Sequence, residues 1–298
     1  MKNFMNLIYF IIGWLWCVLW GINGYAFFAT LGAIALITTQ IIYKKSDYSF
    51  TKDLIFMGFV TVSGIFLEML LMQTKLITYE NNWLFPPLFI ICLYPLFSLL
   101  CNHSLEKIMK NKLLSIALGV VIAPISYFSI NSLHGLNFTY PPYLTWILIS
   151  ILFGAYFYLI RYLKNVIDKA AVKTWKEKDK KDELKFFYDG SCPICTRGVS
   201  VLKKAIPNNE LKFVDITSKD DFSKNRGTLE YETAMTAMHA MDNEGNKFVA
   251  LDAFAKAYAR SHFYIFATIL NIPFLRPILD PMYRLFAKHR LFLTGRKK

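Results

Sequence analysis

Between Phe4 and Leu163 the chain runs in apolar blocks of membrane-spanning length, separated by short connections that carry the polar residues. A hydrocarbon core about 30 Å thick takes about 20 mostly apolar residues per helix, because backbone polar groups left unpaired in lipid cost several kcal/mol each. Six segments meet that demand: Phe4–Ile22, Tyr25–Tyr43, Leu54–Met72, Trp83–Cys101, Leu113–Leu133 and Tyr143–Leu163. The first is too long in its apolar run for a signal peptide and is followed by five more, so it reads as a retained helix. After Leu163 the pattern changes to a charged helical stretch, then to short strand-like runs alternating with amphipathic helices.

Charge then orients the blocks, since Lys and Arg beside membrane helices stay on the cytoplasmic side. Lys2, Lys44, Lys45, Lys52, Lys107, Lys110, Lys112, Arg161, Lys164 and Lys169 fall on one side of the six-segment path, against Lys75 alone on the other. This places both termini in the cytoplasm, a reducing compartment in which a cysteine pair is more often catalytic than structural. Within the blocks Glu68 stands out. It is a functional candidate by default, or a side chain near enough to the helix end to snorkel. Pro86, Pro87 and Pro95 in the fourth segment and Pro124 in the fifth are kinking positions. The run from Ala123 to Tyr127, followed by Ser129, Asn131, Ser132 and His134, gives the fifth segment a polar outer half that faces other helices.

Composition sharpens the division. The chain has 298 residues, 55% of them hydrophobic, and a net charge of +13. Residues 1–160 hold 8 Lys/Arg and 5 Asp/Glu, whereas 161–298 hold 26 and 16, so most of the positive charge lies in the second part. The charged stretch 165–185 has Trp175 as its one aromatic, which does not make the aromatic interleaving of a nucleic-acid module, so no nucleic-acid partner is expected. Residues 165–185 are charged and free of Gly and Pro, and read as a juxtamembrane helix whose lysines reach anionic lipid or simply face solvent.

The clearest chemistry is in Leu184-Lys-Phe-Phe-Tyr-Asp-Gly-Ser-Cys-Pro-Ile-Cys195. An apolar run reads as a buried strand, Asp189-Gly190-Ser191 as a turn, and Thr196–Ala205 as an amphipathic helix with Val199, Val201 and Leu202 inward. Cys192 thus falls at a helix N-terminus, where unpaired N–H groups and the macrodipole favour a thiolate, and Pro193 suits the first turn. The spacing predicts an exposed, reactive Cys192 and a shielded Cys195 able to resolve a mixed disulfide. Asp189 is either a proton acceptor for a thiol or a cap on the turn. A zinc site would need two further ligands, and His239, His262 and His289 are widely separated, so neither metal nor cofactor is expected.

At Asp189, Cys192 and Cys195 the sequence resembles the DCC family of thiol-disulfide oxidoreductases. The likeness continues through Leu211–Ile216, the hairpin Met238–Val249 turning at Gly245, Asp252-Ala253, and the tail Ile272-Pro-Phe-Leu-Arg-Pro with Tyr283, Arg284 and Arg290. It implies a thioredoxin-like fold with Cys192 as nucleophile and Cys195 as resolving thiol. Two positions depart from the pattern. Leu251 stands where the family has Gly, and Tyr231–Ala237 lacks the Pro that thioredoxins place before the strand facing their cysteines, which removes the usual backbone docking for substrate. The membrane part resembles a bacterial inner-membrane family of unknown function, through Gly13–Gly21, Glu68 and Gly119–Tyr127.

The expected architecture is a six-helix, multi-pass membrane domain (1–163), a charged juxtamembrane helical linker (164–183) and an α/β thioredoxin-like domain with a helical tail (184–298). Phe263–Ile272 is too short to span and is expected to pack on the sheet, with interfacial docking as a second reading supported by Arg276, Arg284, Lys288, Arg290 and Arg296. The expected function is thiol-disulfide exchange through Cys192, Cys195 and Asp189 at a bacterial inner membrane, on a disulfide-containing protein or a small thiol. The rival is a transporter or channel built around Glu68, with the cysteine pair as redox sensor. A further variant passes electrons through Cys17 and Cys92.

Overall fold

The structure is a computed structural model that describes residues 2–43, 47–79, 84–206 and 211–293. Lys44, Lys45, Trp83 and Arg296, used above, lie outside the described residues. The chain divides into two compact units, Met1–Asn165 and Val166–Lys298.

The first unit is built from α1 (Lys2–Ile22), α2 (Ala26–Tyr43), α3 (Asp47–Gln73), α4 (Leu88–Asn102), α5 (Glu106–Lys110), α6 (Lys112–Ser132) and the start of α7 (Pro142–Lys178). Four of these helices, α1, α3, α6 and α7, are long and apolar enough to cross a membrane, while α2 and α4 are shorter apolar helices. The fourth helix starts at Leu88, five residues later than the apolar run suggests. Pro86 and Pro87 explain this: a residue before proline is pushed out of the helical region, and Pro87 sits at the N-cap with ψ 147°.

Two small features fix the register of the bundle. β1 (Ile77–Thr78), after α3, pairs antiparallel with β2 (Asn137–Phe138), after α6. At the other end of α3, the buried Asp53 accepts from Asn102 Nδ2 at 2.9 Å and lies 2.8 Å from His103 Nε2, at the close of α4. The start of α3 and the end of α4 are therefore held together, and the two helices run antiparallel.

In the second unit β3 (Leu184–Tyr188), α8 (Pro193–Lys204), β4 (Leu211–Asp215), α9 (Lys219–Asn225), α10 (Tyr231–Thr236), β5 (His239–Met241) and β6 (Lys247–Val249) precede three further helices. These are α11 (Leu251–Ala259), α12 (Tyr264–Leu270) and α13 (Arg276–Leu293), the last entered through a 3₁₀ turn at Pro273–Leu275. The sheet order is β4-β3-β5-β6, with β3 parallel to β4 and the β3/β5 and β5/β6 pairs antiparallel. Side chains alternate across β3 as the pleat requires. Leu184 and Phe186 join Val199, Leu202, Ala253 and Ala257 on one face, while Phe187 meets Val214, Phe222 and Ala234 on the other. Gly245 turns the β5–β6 hairpin at φ 83°.

The stretch read as a linker is built into this unit. The end of α7 presents Glu177 to Lys256 Nζ (2.7 Å) and to the fully buried Arg260 side chain (2.7 Å), which also reaches Asp182. Thr174 Oγ1 accepts from Thr268 and Asn271, and Trp175 packs edge-on against Tyr264. The apolar segment expected to lie on the sheet instead packs here: α12 buries Ala267 and Thr268 beside α7 and α11. Together α12 and α13 satisfy the length and composition of a span, but they bend by 72° at their junction.

Candidate redox site

The end of β3 delivers Asp189-Gly190-Ser191 directly into α8, so the two cysteines sit where a strand becomes a helix. Cys192 is the N-cap and Pro193 occupies the first helical position. Cys195 N donates to Cys192 Sγ at 3.4 Å, one of the N–H groups that a helix start leaves without an intrahelical partner. All five cysteines of the chain are free thiols.

Burial corrects the expectation of an exposed attacking sulfur. Cys192 is 0% exposed and Cys195 8%, both within the core formed by Phe186, Val199, Met238 and Ala253. Burial, reinforced by the hydrogen bond and charge of Cys192, pushes the Cys195 thiol up to about 12, against a smaller opposing pull from the Arg290 guanidinium. Arg290 and Tyr283 come from α13, which with Phe286 and Met238 lines a cavity of about 210 Å³ beside Cys195.

Asp189 is buried and split in role. Its Oδ1 accepts from Ser191 N at 3.0 Å and Ser191 Oγ at 2.5 Å, closing the turn, while Oδ2 is buried without a hydrogen-bond partner among the described residues. The turn is clasped from the next strand, where Asp215 Oδ1 accepts from Gly190 N at 3.0 Å. A Cβ on residue 190 would lie 1.9 Å from Asp215 Oδ2, so the carboxylate approaches as closely as it does only because Gly190 has no side chain.

The residue that enters β5, beside the cysteines, has both backbone groups paired. Met238 N donates to Tyr283 Oη at 2.9 Å, and Met238 O accepts from Ala250 N at 2.8 Å. Ala250 takes the positive φ of 56°, one residue before the Leu251 singled out in the sequence. Asp215 and the capping role of Tyr283 were not read from the sequence. The signals were that both lie in stretches that carry the family likeness and that Tyr283 and Arg290, seven apart, share a face of α13.

Residues 186–296 match the family described as DCC1-like thiol-disulfide oxidoreductase, which supports a thiol-disulfide oxidoreductase role. The chain belongs to the family described as protein of unknown function DUF2878, which matches residues 3–159. An uncharacterised chloroplastic protein of Arabidopsis thaliana is 34% identical over 115 residues, 38% of this chain and 54% of that protein. The chain thus spans about half the length of that curated relative. No solved structure matches.

Proposed function

We propose that the chain is a membrane-anchored thiol-disulfide oxidoreductase whose dithiol is Cys192 and Cys195, carried on a thioredoxin-like unit at the cytoplasmic face. The observation that carries this reading is the hydrogen bond from Cys195 N to Cys192 Sγ at the start of α8. It aims a donor and the positive end of the helix at the sulfur that attacks. The sheet order supports the thioredoxin-like assignment: a parallel β3–β4 pair extended by an antiparallel hairpin. Cys192 attacks one sulfur of the substrate disulfide, forming a mixed disulfide and releasing the first substrate thiol. Cys195, held as a thiol by its burial, loses its proton to Asp189 Oδ2 and attacks Cys192 Sγ. The second substrate thiol leaves, and the two electrons gained by the substrate are those lost in forming the Cys192–Cys195 disulfide, which a dithiol donor then reduces.

Because Cys192 is buried and the Met238 backbone N–H and C=O are already paired, substrate docks only after local opening around the cysteines rather than by backbone pairing at Met238. Substrates are disulfide-containing proteins or small thiols that reach this opened state. Cys192→Ser abolishes turnover in a dithiol-coupled assay, whereas Cys195→Ser accumulates mixed disulfides. Equal turnover by wild type and both variants refutes the assignment.

The membrane part crosses six times in this reading, in a bacterial inner membrane, with Lys107, Lys110 and Lys112 inside and Lys75 outside. The pairing of β1 with β2 supports it, since it joins the loops after α3 and α6 on one side and so requires α4 to cross. The α4 helix spans only about 22 Å, and the bilayer or the flanking turns make up the difference.

A further inference from the structure

Glu68 does not snorkel. It is 2% exposed, and three phenols from separate parts of the chain donate to it: Tyr79 at 3.2 Å, Tyr94 at 2.9 Å, and Tyr127. Gly64, one turn earlier on α3, makes room for this, because a Cβ there would sit 2.2 Å from the Tyr94 ring. Glu68, Tyr94 and Tyr127 line a cavity of about 100 Å³. Its walls are largely aromatic, including Phe97, Phe153, Tyr156 and Phe157. Phe10 and Trp14 of α1 and Ile122 and Ser126 of α6 also line it. Of these, Ile122 is 45% exposed on the apolar surface, and Trp14 Nε1 donates to Ser126 Oγ at 3.0 Å, joining α1 to α6 on this side of the cavity.

No Lys, Arg or His is among the described residues lining this cavity. Three phenols occupy three of about four acceptor sites on the carboxylate, and they supply no positive charge. A buried carboxylate without a countercharge is costly. A hard metal ion would want six or more oxygen ligands, and these walls are mostly carbon. Aromatic faces around one carboxylate instead suit a soft, weakly hydrated cation, held by the acid and by the ring quadrupoles together. We infer that this cavity binds an organic ammonium cation with an alkyl tail, its head against Glu68 and its tail leaving between α1 and α6 into lipid. The inference is independent of the dithiol.

The test uses the full chain in lipid nanodiscs. Dicyclohexylcarbodiimide, a lipid-soluble carboxyl reagent, is reacted with the wild type and the adduct on Glu68 is followed by mass spectrometry. Octyltrimethylammonium is expected to slow this modification at least tenfold, and octanol at the same membrane concentration to leave it unchanged. Equal rates with and without the cation, or equal protection by octanol, would overturn the site. In parallel, equilibrium binding of radiolabelled octyltrimethylammonium is expected to weaken at least tenfold in Glu68→Gln and to be unchanged in Cys192→Ser. Binding to Glu68→Gln as tight as to wild type would also overturn it. Should Glu68→Gln fail to fold, the protection measurement on the wild type decides alone.

Discussion

At the scale of single residues, the candidate redox site depends on how closely groups from different strands approach. Gly190→Ala would drive a methyl into the Asp215 carboxylate. We expect a loss of about 1–3 kcal/mol in unfolding free energy, read by denaturant titration, together with slower turnover as the turn before Cys192 shifts. Cys195 carries a second prediction. Its thiol is raised from 9.0 in the unfolded chain to about 12 when folded. The protonated state thus stabilises the fold fully below pH 9, and this contribution is lost as pH rises towards 12. In the native protein, iodoacetamide should label Cys195 far more slowly at pH 8 than a free thiol, with the rate climbing until that range; labelling at the free-thiol rate would refute it. The motif itself was legible, since Asp189, Cys192 and Cys195 with Pro193 at the first helical position are local features. The burial of Cys192 was not, because Phe186, Met238 and Ala253, which enclose it, belong to other elements. The clasp by Asp215 was hidden for the same reason.

Among the elements, α7 and α4 depart most from what their sequences suggest. A lysine-rich helical end with no Gly or Pro reads as a spacer, because propensity and charge are local while the partners of Glu177 lie some eighty residues downstream. Glu177→Ala leaves the buried Arg260 with Asp182 as its remaining ion-pair partner. Stability should fall by about 3 kcal/mol, as when one member of a buried pair is removed, measurable as a lowered Tm of the second unit. Glu177→Gln, which keeps hydrogen bonds to Lys256 and Arg260, should recover part of that loss. For α4, hydropathy located the helix correctly but overran its start, since apolar character continues through Pro86 and Pro87 whereas helical geometry does not. The short strands β1 and β2 were invisible in the sequence, at two residues each.

For the whole molecule, the boundary between apolar and basic parts was legible from composition, and the two compact units meet within a few residues of it. The six-crossing path is testable in intact cells with a membrane-impermeant amine reagent. Lys75 should be labelled and Lys107, Lys110 and Lys112 protected; labelling of all four would mean that α4 does not cross. Among the polar groups buried in the apolar unit, Glu68 is the one for which the sequence offered two readings. Local position could not choose between them, because the tyrosines that hold it come from three different stretches of chain.

The ion pairs at the end of α7 also bear on how the protein can be cut. A soluble fragment begun at Leu184, the first residue of β3, would strip Arg260 of both Glu177 and Asp182 and leave a buried guanidinium without these acids. The same fragment begun at Val166 keeps both acids and the Thr174 contacts. The second unit is therefore best expressed and crystallised with the last part of α7 attached, and a cut at Leu184 should yield aggregated protein.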